Sequence, residues 1–117
     1  MNTQEFIDGI KTVVVDGSIE SLQSNLVKPA GRMPAKKLVL ISEWYNKLSQ
    51  IDKDMVMEIV KESVDASVFG FLCVFDGVRE IEVGEKKGNL RLYYGKEGKK
   101  QLLNNPDGEY LHDLFNR

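Results

Sequence analysis

The sequence predicts an α+β fold, with a helical N-terminal two-thirds, then a small antiparallel β-hairpin or sheet, then a C-terminal helix. Three observations predict it. Apolar residues recur at spacings of three and four through the first 75 positions, which is the period of an amphipathic helix. From Val78 onward the period moves toward two around the break Gly95-Lys96-Glu97-Gly98, as in paired strands. The last stretch, with Tyr110, Leu111, Leu114 and Phe115, returns to helical spacing. Helices grouped ahead of strands exclude a regular βαβ series.

The chain has 117 residues, of which 42% are hydrophobic and 29% charged. That length closes around one core, so a single domain spanning 1–117 is expected. The composition excludes a disordered or low-complexity chain. Sixteen basic and eighteen acidic residues leave a net charge of −2, and this balance gives no drive toward nucleic acid or an anionic membrane.

Each element follows from local signals. Asn2 and Glu5 have capping-box spacing ahead of Phe6, Ile10, Val13 and Val14, which define the first helix. Asp16-Gly17 reads as its stop, and Ser18 as the cap of a short second helix with Ile19, Leu22 and Leu26 on one side. The stretch Lys28–Pro34, with two prolines and a glycine, reads as a loop. Pro34 suits a first helical turn, followed by Leu38, Ile41, Trp44, Tyr45 and Leu48. Asp52 or Asp54 then caps a long helix whose inward residues are Met55, Ile59, Val60, Ser63, Val64, Ser67 and Phe71.

The run SVFGFLCVF suits either the end of that helix or a central strand, and the uninterrupted period favours the helix. There Ser63, Ser67 and Gly70 form a small-residue stripe suited to close approach by another helix. Asp76-Gly77 stops the helix. Leu90, Leu92 and Tyr94 alternate with Arg91 and Tyr93 and pair with Lys99–Leu103 across a four-residue loop. Val78 to Val83 fits a third strand or a loop equally. Asn105-Pro106-Asp107 starts the last helix.

The first eight residues hold Glu5 and Asp8 and no basic residue, unlike a secretory signal. The longest near-continuous apolar run, Val68–Phe75, is far below the roughly 18 to 20 residues that cross a bilayer. The lone Cys73 sits inside that run and is expected to be a buried, inert thiol. A cytoplasmic protein is therefore expected, with no membrane partner.

Few residues carry chemistry. His112 is the only histidine and is expected to face solvent from a terminal helix. One cysteine and one histidine exclude zinc ligand sets, and no calcium-loop spacing is present. Gly84-Glu85-Lys86-Lys87-Gly88 lacks the lysine and hydroxyl of a phosphate loop and leads into a strand. No cofactor or metal is expected. The carboxylates of Asp76, Glu80, Glu82 and Glu85 gather in sequence, as around a hard cation, or simply line a solvated strand edge. The lysines about the hairpin, with Tyr93 and Tyr94, have the composition of a nucleic-acid platform, but they also guard a strand edge, and the pI of 5.4 argues against that use.

Charge is segregated along the chain. Ser42–Glu82 holds nine acidic and four basic residues, whereas Lys28–Lys37 holds four basic and none acidic. The long helix thus presents Asp54, Glu58, Glu62 and Asp65 on one side, a surface that complements a basic protein. Trp44 and Tyr45 supply aromatic anchors of the kind that dominate interfaces.

The stretch EWYN, the helix end VFGFLCVFDG, then LRLYY and EYLHDLFNR, resembles a family of small bacterial proteins with no assigned activity, over most of the chain. That resemblance carries over no catalytic residue. In size and charge alone the chain also looks like immunity and antitoxin proteins. The expected function is that of a non-enzymatic protein acting through a protein interface, toward a basic protein or a second copy as a homodimer. The alternative is a small enzyme or ligand-binding protein using carboxylates near Asp76 and His112.

Overall fold

Asn2 opens the first helix, its Oδ1 accepting the Glu5 N–H at 2.8 Å and satisfying one of the free donors of the first turn. In the computed structural model, which describes residues 1–117, α1 (Thr3–Ile10) runs without interruption into a π-helical stretch (Lys11–Asp16) and then into α2 (Gly17–Val27). The expected break at Asp16-Gly17 is absent, since Gly17 holds helical angles (φ −60°, ψ −42°). Its N–H reaches back to the Thr12 carbonyl, five residues away. Glycine ends a helix only where the chain turns left-handed, and here the wider π turn carries the chain through.

That π turn also resets which side chains face inward. Ile7 is fully buried, and Ile10 and Val15, five residues apart, stay partly buried on either side of the wide turn. Val13 and Val14, expected inside, are pushed outward, and Val13 is 74% exposed.

The chain reverses through Lys28–Ala35 into α3 (Lys36–Asn46), which packs back on α2. Two side chains lock this reversal at one carbonyl, with Ser42 Oγ donating to Val27 O at 3.2 Å and Asn46 Nδ2 donating at 2.8 Å. The buried residues of α3 are Ser42 and Tyr45, while Leu38, Ile41 and Trp44 stay exposed. Tyr45 of the expected stripe is inside and Leu48 is half-buried, while Leu38, Ile41 and Trp44 are turned outward as Ser42 and Asn46 meet the Val27 carbonyl.

Ser49, not Asp52 or Asp54, caps α4 (Gln50–Phe75), its Oγ accepting the Asp52 N–H at 3.2 Å. Twenty-six residues make a rod of about 39 Å. Val68–Phe75 is the end of this helix and not a strand. α4 offers two apolar stripes and only one has a partner within the chain. Met57, Val60, Val64, Val68 and Leu72 turn inward, whereas Met55, Ile59, Ser63, Ser67 and Phe71, expected inside, face outward. Gly70 does meet a close neighbour, but the neighbour is the Arg79 guanidinium and not another helix.

α4 closes in a Schellman motif. Gly77 is left-handed (φ 76°), the Gly77 N–H reaches Val74 O at 3.1 Å, and the Val78 N–H reaches Cys73 O at 3.0 Å. Residues 78–92 then form no strand, and Val83 is fully exposed. The hairpin is β1 (Tyr93–Lys96) with β2 (Lys99–Leu102), antiparallel, with Tyr93 opposite Leu102 and Lys96 opposite Lys99. Its turn is two residues, not four. Glu97 (φ 53°) and Gly98 (φ 76°) are both left-handed, as a type I′ turn requires, and glutamate in that place hid the turn from a sequence reading.

The last helix, α5 (Leu111–Phe115), is shorter than expected, since residues 105–108 form one turn and 109–110 are irregular. Leu111, Leu114 and Phe115 close one cluster with Ile7 and Leu72, so the core lies where α1, the C-terminal half of α4 and α5 meet. Thr3 Oγ1 donates to Leu103 O at 3.1 Å and fastens the hairpin's end to α1. No helix is long and apolar enough to cross a membrane.

The π-turn phase has a direct consequence for stability. Ile7→Ala removes a fully buried side chain and is expected to cost about 3 kcal/mol, whereas Val13→Ala stays within about 0.5 kcal/mol of the parent. Urea denaturation of both variants checks this, and equal losses would contradict the phase.

Candidate functional site

Two places on this fold gather polar side chains. The first is the junction of α4 with α5. Asp76 ends α4, and its side chain is 2% exposed. One carboxylate oxygen accepts the Leu111 N–H at 3.0 Å, and the other accepts the His112 N–H at 2.9 Å and His112 Nδ1 at 2.6 Å. The carboxylate thus caps α5 from a residue 35 positions upstream, satisfying two donors of its first turn. His112 is held edge-on to Phe69 and beside Tyr110, with ring centroids 5.7 and 5.6 Å away.

His112 is therefore not the solvent-facing residue expected, for its side chain is 16% exposed. Its Nε2 lies 3.4 Å from the Asp113 carboxylate. An Asp–His pair is half of an acid–base relay, and the other half is a nucleophile within reach of the free ring nitrogen. Here that nitrogen faces a second carboxylate.

Asn104 makes a second knot beside the first. Its Nδ2 donates to Phe75 O at 2.8 Å and to Leu90 O at 2.9 Å, and its Oδ1 accepts the Leu92 N–H at 2.8 Å. This one buried amide ties the end of α4 to the strand approach. A cleft of about 390 Å³ opens beside it, lined by Arg79, Glu80, Glu82, Lys87, Arg91 and Tyr110 among others.

Of the carboxylates that cluster in sequence, Asp76, Glu80 and Glu82 line this cleft and Glu85 does not, and each of the three is already engaged. Glu80 pairs with Lys87 at 2.6 Å, Glu82 accepts the Gly88 N–H at 2.9 Å, and Asp76 is committed to α5. No group of acidic, histidine or cysteine side chains is placed to hold a metal ion.

Cys73 is buried one turn before Asp76. Burial pushes its thiol above the ordinary value, the Arg79 charge opposes that shift, and Asp76 and Asp113 add to it.

The second place is an open groove between α2 and α4. Glu58, Glu62 and Asp65 line it from α4, and Asp16 and Glu20 line it from the other wall. Lys61 is the one basic residue in the lining, 3.7 Å from Glu58. The Asp16 and Glu20 carboxylates, from the π-helical stretch and α2, were not visible as part of this surface in the sequence, because their place depends on the unbroken helix through Gly17.

Of the other expected contacts, Asp54 is exposed beyond the groove and accepts Gln50 Nε2 at 2.8 Å. Trp44 is 54% exposed on α3. Tyr45 is buried, with Lys53 Nζ 5.7 Å above its ring, so it offers no aromatic surface to a partner. Comparison of the chain with protein-family models, curated proteins and solved structures finds no match.

Asp76→Ala is expected to cost about 3 kcal/mol or more, since it strands two backbone donors and the His112 ring in a closed site. Chemical denaturation checks this, and a loss below about 1 kcal/mol would show that α5 holds without its cap.

For Cys73, an unfolded thiol ionises before the folded one. Its contribution to stability is therefore complete at neutral pH and is lost as pH climbs above the ordinary thiol range. Thiol labelling of the native protein is expected to be far slower than labelling of the unfolded chain, and Cys73→Ala to flatten the alkaline decline in melting temperature. Equal labelling rates would overturn this.

Proposed function

We propose that this protein is a non-enzymatic binding protein that acts through a protein interface, with the α2/α4 groove receiving a basic segment of its partner. The observation that carries the reading is the gathering of five carboxylates from three elements, the π-helical stretch, α2 and α4, on one groove against a single lysine. Glu58 and Glu62, four apart, and Glu62 and Asp65, three apart, repel by a few tenths of a kcal/mol per pair, and Lys61, 3.7 Å from Glu58, is the one cation beside them, so the cluster lends α4 little stability of its own. A basic partner removes that repulsion and is drawn in by the summed field, which raises its association rate.

Neutralising a basic protein, as immunity and antitoxin proteins do, is the most concrete form of this reading. The alternative, chemistry at Asp76 and His112, is less well supported, because that pair's hydrogen bonds already hold α5.

The test is capture from cell extract on the immobilised protein, beside the double variant Glu58→Lys with Glu62→Lys. The parent is expected to retain one basic protein stoichiometrically, with association that slows as salt is raised. The reversed variant is expected to lose it while its stability stays within about 0.5 kcal/mol of the parent. Equal retention by both proteins, or a bound small molecule that is turned over, would contradict the reading.

A further inference from the structure

The loop of residues 78–92 has no secondary structure of its own, and loops longer than about 12 to 15 residues are uncommon in compact domains unless they bind something or lack order. This one is held in a single shape. Asn104 Nδ2 donates to Phe75 O at 2.8 Å and to Leu90 O at 2.9 Å, which brings the two ends of the loop together. Within it Lys87 meets Glu80 at 2.6 Å, and Glu82 Oε1 accepts the Gly88 N–H at 2.9 Å. A loop closed at its ends and packed by its own side chains is an Ω-loop, a form that frequently carries function. With Phe75 and Tyr110 it walls the cleft of about 390 Å³, a volume within the range of small-molecule sites.

The charges lining the cleft are equal in number, three carboxylates and three cations, but they are not equally engaged. Asp76 is bonded to α5, Glu80 to Lys87, and Glu82 to a backbone donor. The two arginines have no such partner. The ion pairs of the chain involve Lys61, Lys87, His112 and Arg117, and neither Arg79 nor Arg91. Arg91 Nη1 donates to the neighbouring Leu90 O at 2.9 Å, whereas the Arg79 guanidinium has no acceptor within the chain. Arg79 is nonetheless seated. Its guanidinium lies against α4 at Gly70, where a missing side chain makes room for it, one turn before Val74 of the cleft wall. Beside these cations the loop leaves Ile81 and Leu90 71% and 44% exposed.

We infer that the cleft binds a small organic anion, its carboxylate or phosphate head taken by Arg79 and Arg91 and its apolar body lying against Phe75, Ile81, Leu90 and Tyr110. A guanidinium is planar and weakly hydrated, and its forked donors match either head group in pairs. A cationic ligand has no free carboxylate to meet. The proposal is of binding alone. It shares no residue with the acidic groove and selects the opposite charge, so it does not rest on the groove's function.

The test is an amide NMR titration of the full chain with phenyl phosphate and with benzoate, carried to millimolar concentration, beside neutral benzyl alcohol. Saturable shifts confined to residues 79–91 and Tyr110 are expected with the anions and not with the alcohol, and the tighter of the two anions identifies the head group. The double variant Arg79→Gln with Arg91→Gln is expected to weaken binding about tenfold or more, with the amide spectrum of α1–α4 unchanged. Arg91→Gln alone alters an exposed side chain bonded only to its neighbour, and it is expected to weaken binding about fivefold with the loop intact. No saturable shift with either anion, shifts matched by benzyl alcohol, or the parent's affinity in both variants would overturn the proposal. Failure of basic-partner capture at the groove leaves this titration unchanged, so the two readings fail separately.

Discussion

Asp76 is the C-cap residue of α4 and its carboxylate begins α5, and the placement of most of the chain after Phe75 follows from that double duty. A helix of five residues has too few internal hydrogen bonds to persist by itself. It is held because an acceptor is fixed at its N-terminus by a 26-residue helix, and because Leu111, Leu114 and Phe115 fall onto Ile7 and Leu72 once it is. Burying a carboxylate costs several kcal/mol unless it is fully hydrogen-bonded, and here two backbone donors and an imidazole meet it. Asn104 repeats the arrangement with neutral groups, tying Phe75 O to the strand approach. The loop of residues 78–92 can then remain irregular, since both of its ends are pinned.

This closure consumes one end of the molecule and leaves the other open. The C-terminal half of α4 packs on one side against α1 and α5, and α2 and the π-helical stretch lie along the part before it. What is uncovered includes an acidic groove toward α2 and, at several places around α4, the apolar side chains of Ile51, Met55, Ile59 and Phe71. The polar groups best placed for chemistry are used for construction, and the groups left free are suited to contact.

Much of the architecture was legible in the sequence, for reasons that are local. The Asn2 cap, the Asp76-Gly77 stop, the helical identity of Val68–Phe75 and the order of helices, hairpin and helix all rest on signals within a few residues. What was hidden depends on partners far along the chain. The π turn through Lys11–Asp16 shifts the apolar phase, so Val15 and not Val13 packs on the core. The two stripes of α4 are alike in composition, and only the position of α2 decides which is covered. Tyr45 and Trp44 are neighbours in sequence, yet the hydrogen bonds of Ser42 and Asn46 to Val27 turn one inside and leave the other out. His112 and Asp76 are 36 residues apart, and no spacing rule joins them. Asp16 and Glu20 entered the acidic groove for the same reason, through a helix that does not stop where its glycine stands.

Amide hydrogen exchange at Leu111 and His112 tests the central claim most directly. If the Asp76 carboxylate holds α5 as part of the core, both amides exchange as slowly as the Leu72 amide inside α4, through an opening that approaches global unfolding. Exchange of the two at the fast rate of an exposed terminal turn, with Leu72 still protected, would show that α5 is a frayed end and that the junction does not organise the fold.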